Sequence, residues 1–179
     1  MSNIWRIQIN RNGNYLEQPK ITKNVLKRLK DIYLQTSFEQ LRNNAKLTFL
    51  TSLKDTYTIE NYLKLNNTYN RKALAQIRTS SHTLAIETGR WEKLKREERL
   101  CKHCNRNLIE DEAHLIFDCS NYSTERSMTF QFIKTRTNID LQNNTHRTNN
   151  LKNLFNSDAM SSLNAFGKFI NYSLRKSKN

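Results

Sequence analysis

Three cysteines, all that the chain has, and one of its four histidines stand in the order Cys101-x2-Cys104-x9-His114-x4-Cys119. No other feature limits the fold as strongly, because four such residues can close one tetrahedral metal site. Zinc takes thiolate and imidazole ligands, and a Cys-x-x-Cys turn presents two sulfurs to one ion as a tight knuckle. The second pair must then come from a segment that returns to the first. Asn107-Leu108-Ile109-Glu110 has the form of a capping box, which predicts a short helix from Leu108 to about Asp118. On a continuous helix Cys119 would point about 140° from His114, so the helix must end near Asp118. The alternative reading makes the cysteines small buried apolar residues and His114 a surface side chain. The spacing favours one structural zinc held by Cys101, Cys104, His114 and Cys119, with His103 inside the knuckle as a competing ligand.

Only three glycines and one proline occur in 179 residues, so tight glycine turns between strands have little material. A mostly α fold is expected: a helical domain with a small Cys-Cys-His-Cys zinc knuckle subdomain. Residues 1–18 read as a lead-in with a possible hairpin at Asn12-Gly13-Asn14, residues 19–99 as helical, 100–122 as the knuckle and 123–179 as C-terminal helices. From Pro19, Ile21, Val25, Leu29, Ile32 and Tyr33 recur at helical spacing with lysines and arginines between them, and a break near Thr36-Ser37 is allowed for. Asn70 to Ser80 places Ala73, Leu74 and Ile77 inward and Arg71, Lys72 and Arg78 outward. Ser120 to Thr135 and Asp158 to Arg175 are the last two helices, separated by an Asn- and Thr-rich stretch, 138–150, read as a flexible loop.

Thirty Lys plus Arg against sixteen Asp plus Glu give a net charge of +14, which makes polyanions, nucleic acid first, the natural partners. Seven basic residues, Arg90, Lys93, Lys95, Arg96, Arg99, Lys102 and Arg106, surround Trp91 directly before and inside the knuckle. Cations beside an aromatic ring grip phosphates and stack on bases, so these eight residues are the candidate RNA or DNA contacts. The plain alternative is a solvated turn in which Glu97 and Glu98 pair with their basic neighbours. No run of 18 apolar residues occurs and Met1 to Arg6 is not a signal peptide, so no membrane association and an intracellular site, nucleus or cytoplasm, are expected.

Ile77 to Arg90, then Arg96 to Cys104, then Ile109 to Cys119 with Tyr122 and Arg126, resemble the zinc-binding region C-terminal to the polymerase in non-LTR (LINE-like) retrotransposon reverse transcriptases. The resemblance spans about fifty residues, and Ser120 departs from the proline such proteins often carry there. It implies a zinc-binding module that handles nucleic acid beside a polymerase domain of the same parent protein. It implies no polymerase activity here, because no Tyr/Phe-x-Asp-Asp motif is present. Three thiolates and one imidazole would close the zinc tetrahedron, unlike a hydrolytic site, and Glu110-Asp111-Glu112 is explained as a helix start, so an enzyme is not expected. The competing expectation is a protein-interaction module that docks on a polymerase or another helical partner through its terminal helix.

Overall fold

The computed structural model describes residues 18–54 and 58–178, with side chains from Thr22 onward. The lead-in and its hairpin turn lie outside the described residues. The chain divides into two compact units at the Asn43–Asn44 link. In the first, α1 (Gln18–Arg42) runs without a break through Thr36-Ser37, where the Thr36 hydroxyl donates to the Ile32 carbonyl and stays within the helix. The helix stops at Arg42, short of Ala45. Leu26, Leu29, Ile32 and Tyr33 of α1 are all at least half exposed.

The second unit is helical: α2 (Thr48–Leu53), a 3-10 turn (Asn61–Lys64), α3 (Thr68–Arg78), α4 (Ala85–Trp91), α5 (Ser123–Thr137), α6 (Arg147–Asn156) and α7 (Met160–Lys176). The expected mostly α class is what folds. Asn67 caps α3 by accepting the Asn70 N–H at 3.0 Å, and Ala73, Leu74 and Ile77 go inward as their spacing requires. Helix α7 lies against α3 and α5 and buries Leu163, Phe166, Phe169, Ile170 and Leu174. Rings of Tyr62, Phe155, Phe166, Phe169 and Phe130 follow one another edge-on or tilted at 5.8–6.3 Å. Gly167 is required at the α3–α7 crossing, since a Cβ there would stand 2.9 Å from Asn70 Cβ and 3.1 Å from its carbonyl oxygen.

Two expectations need correction. Arg78 is not outward: it is 1% exposed, ion-paired to Glu60, and its guanidinium sits 4.4 Å from the Phe155 ring centre. A long side chain at the end of a helix face can fold inward when an acid and an aromatic meet it, which periodicity does not reveal. Residues 138–150 are not loop throughout. Leu141 is buried, Asp140 accepts from Lys134 Nζ at 2.6 Å, Asn150 donates to the Asp140 carbonyl at 2.7 Å, and α6 already starts at Arg147. Met128 is exposed on α5.

Candidate metal centre

The knuckle begins with an antiparallel bridge between Leu100 and Ile109. The Cys101 N–H donates to the Leu108 carbonyl at 2.8 Å and the Glu110 N–H to the Arg99 carbonyl at 2.9 Å, so the chain doubles back around the Cys-x-x-Cys turn. Asn107 sits in the left-handed region at φ 51°, which asparagine tolerates better than most side chains. It therefore ends the turn and does not cap a helix, and the expected helix from Leu108 is not formed. The cap lies four residues later, where Asp111 Oδ1 accepts the His114 N–H at 2.9 Å. From His114 to Asp118 the backbone makes one π turn, closed by the Cys119 N–H donating to the His114 carbonyl at 2.8 Å. The wider π turn, followed by extended backbone at Cys119, removes the 140° mismatch of an α-helix. Arg126 of α5 closes this end by donating to the carbonyls of Ile116, Leu115 and Cys119.

The four ligand atoms come together within 4.8 Å of one another, and all four residues are buried. Cys101 Sγ and Cys119 Sγ are 3.9 Å apart, too far for a disulfide, and Cys104 Sγ is 3.4 Å from His114 Nε2. Such a group can hold a metal ion. Burial foremost, with the charges of Cys119 and Glu110 behind it, pushes the Cys101 thiol up to about 12. Burial likewise raises Cys119 and lowers His114, which favours a neutral imidazole and protonated Cys101 and Cys119 thiols, whose protons a bound cation would have to displace. His103 stays outside the cluster, with Nε2 3.6 Å from Glu110 Oε1.

Glu110 has a role that sequence reasoning missed. It is buried, its Oε1 lies 3.7 Å from Cys101 Sγ, its Oε2 accepts the Ala85 N–H at 2.8 Å, and its carbonyl accepts the Ile86 N–H at 3.1 Å. One residue thus supports a candidate ligand and seats the first turn of α4. Two residues on, buried Glu112 meets His82 Nε2 at 3.0 Å and takes the Ser80 hydroxyl. Burial alone would raise the Glu112 carboxyl, but the hydrogen bonds from His82 and Ser80 hold it below its ordinary range.

The eight candidate nucleic-acid contacts separate into two groups. Arg90 binds Glu87 and the Ala45 carbonyl, Arg96 binds Asp111, Arg99 donates to the Leu94 and Ile86 carbonyls, and Arg106 donates to the Asp118 carbonyl. Arg99 packs so closely on α4 that a Cβ at Gly89 would stand 2.6 Å from its Cγ. These four arginines build the knuckle and its seat. Trp91, Lys93, Lys95 and Lys102 are exposed and point no charge into the fold. Guanidinium forks satisfy several carbonyls at once, which lysine cannot do, so the split by residue type is physical. Compared with known proteins, the chain matches no family model, no curated protein and no solved structure.

Proposed function

We propose that this chain is a non-catalytic nucleic-acid-binding module held together by one structural zinc ion. The observation that carries the reading is the buried cluster of three sulfurs and one imidazole nitrogen. With Zn–S of about 2.3 Å and Zn–N of about 2.0–2.1 Å, tetrahedral edges are about 3.8 Å for S···S and about 3.6 Å for S···N. The observed 3.9 and 3.4 Å fit those edges. Four protein ligands leave no position for a substrate water, so the ion's work is to hold the knuckle. A thiolate-rich site suits a reducing, intracellular compartment. Among the described residues no helix is long and apolar enough to cross a membrane.

The net charge of +14 supports a polyanionic partner, and the exposed Trp91, Lys93, Lys95 and Lys102 beside the metal turn support RNA or DNA. The resemblance to the C-terminal region of non-LTR retrotransposon reverse transcriptases points the same way and supplies a polymerase domain as neighbour. The testing experiment is metal analysis of the purified chain followed by titration with labelled RNA and DNA at two salt concentrations. One zinc per chain and an affinity that falls steeply with salt are expected. A folded metal-free chain, or no binding at low salt, would overturn the reading.

A docking role is the second reading, and side-chain exposure favours α1 over the terminal helix as its surface. Helix α7 spends its apolar face inside the core, whereas α1 displays Leu26, Leu29, Ile32 and Tyr33. Such a stripe suits a helical partner.

A further inference from the structure

A groove of about 520 Å3 lies between α3, the end of α4 and the last turns of α7. Four cations, Lys46, Lys72, Arg175 and Lys178, line it together with the rings of Tyr69 and Trp91, and no carboxylate does. Tyr69 and Lys72 share one face of α3, three residues apart, while Arg175 stands in the last turn of α7 and Lys178 in the turn just past it, its N–H donating to the Arg175 carbonyl. Tyr69 is 65% and Trp91 74% exposed, far more than large rings usually are, yet both border the same concavity. The Arg175 guanidinium lies 5.6 Å from the Tyr69 ring centre, a cation–π contact that holds the ring at the groove. Lys46 is only loosely engaged, 3.9 Å from Glu87, and Lys72 and Lys178 are exposed lysines with no ion pair among the described residues.

We infer that this groove binds single-stranded nucleic acid, with a base stacked on Trp91 or Tyr69 and the phosphates on Lys46, Lys72, Arg175 and Lys178. The inference rests on the nucleic-acid reading above and gives it a place that the knuckle stretch alone does not. Of the eight contacts expected from sequence, only Trp91 lines the groove; the cations come from residues distant along the chain. A ligand that satisfies four spaced cations and two flat rings must alternate anions with planar groups, which a nucleic-acid strand does at every residue. Duplex bases are already stacked on one another and offer no face to a ring, so the rings select a single strand. The metal centre bears on this site through two contacts. Glu110 seats the first turn of α4, whose last residue is Trp91, and Glu112 beside the π turn holds His82, which lines the groove floor.

The zinc-loaded full chain is titrated with a fluorescein-labelled 12-nucleotide oligouridylate, with a 12-base-pair duplex and with uridine monophosphate as competitor. Replacing Lys72, Arg175 and Lys178 together by alanine is expected to flatten log affinity against log salt by about two units, at about 0.7 per phosphate on a single strand. Trp91→Ala is expected to weaken the oligonucleotide about 5- to 150-fold with little change in slope. Lys23→Ala/Lys27→Ala/Lys30→Ala removes the same charge from α1 and separates a local contact from net charge. Zinc content and circular dichroism check that each variant is folded. The groove is overturned if its triple variant binds like the parent, if the α1 variant loses as much, if the duplex binds more tightly, or if the mononucleotide competes as well as the strand. If the parent itself binds none of these probes, the nucleic-acid reading falls and the groove with it; if the parent binds and only the groove variants are silent, that reading stands and the groove alone is lost.

Discussion

Glu110 Oε2 accepts the backbone N–H of Ala85 at 2.8 Å, while the other oxygen of the same carboxylate faces Cys101 Sγ at 3.7 Å. The first turn of α4 and the first cysteine of the candidate metal cluster are therefore held by one side chain. Removing an outer-shell partner of a ligand typically costs about 10- to 100-fold in metal affinity. Glu110→Ala is expected to weaken zinc by that factor, measured by competition with a chromophoric chelator, and to lower the amide-exchange protection of Ala85 and Ile86. Unchanged affinity and protection would leave Glu110 with no supporting role.

The ligand set makes an ordered prediction. Cys104→Ser and His114→Ala each remove a donor from the proposed zinc site, whereas His103→Ala removes a side chain outside the cluster. Structural zinc contributes an apparent binding free energy of about 10–16 kcal/mol in small peptides, so losing it should unfold the segment from Leu100 to Tyr122. Zinc per chain by atomic emission should stay near one for His103→Ala and drop for the other two. The reverse order would show that His103, not His114, is the ligand.

Metal binding should release protons. The thiols of Cys101 and Cys119 are raised by burial and so are protonated at neutral pH, and a bound cation must displace both protons. His114 is lowered by burial and is already neutral above the ordinary imidazole value of about 6.5, so it adds none there. Affinity should rise with pH by at least about two log units per unit between roughly pH 6.5 and 8. Calorimetry in buffers of different ionisation enthalpy reads the proton count, and a count near zero would contradict the buried thiol geometry.

Gly167→Ala tests the helix crossing. Alanine favours a helix by about 1 kcal/mol over glycine, but a Cβ at 2.9 Å from Asn70 Cβ and 3.1 Å from its backbone oxygen meets atoms that cannot swing away. Overpacking of this kind costs about 1–3 kcal/mol, so net destabilisation is expected in urea melts. A more stable variant would mean that α3 and α7 separate without loss.

The helical class, most of the core positions and the four side chains of the buried cluster were legible without a structure. Helical spacing of Leu163, Phe166, Ile170 and Leu174 points at one buried face whatever it packs on, and a Cys-x-x-Cys pair near His-x4-Cys limits what can gather around one ion. What the sequence alone did not determine was the geometry that depends on distant chain. The π turn at His114 to Asp118 exists because Arg126 takes its carbonyls and Asp111 starts it, a balance of local and tertiary hydrogen bonds. Arg78 turned inward because Glu60 and Phe155 waited there, and Arg90, Arg96, Arg99 and Arg106 became structural because carbonyls and carboxylates came within reach of their forks. Linear charge density counted these arginines as free for a partner. Only folding, by bringing Lys46, Lys72, Arg175 and Lys178 around Tyr69 and Trp91, decided which cations face one concavity.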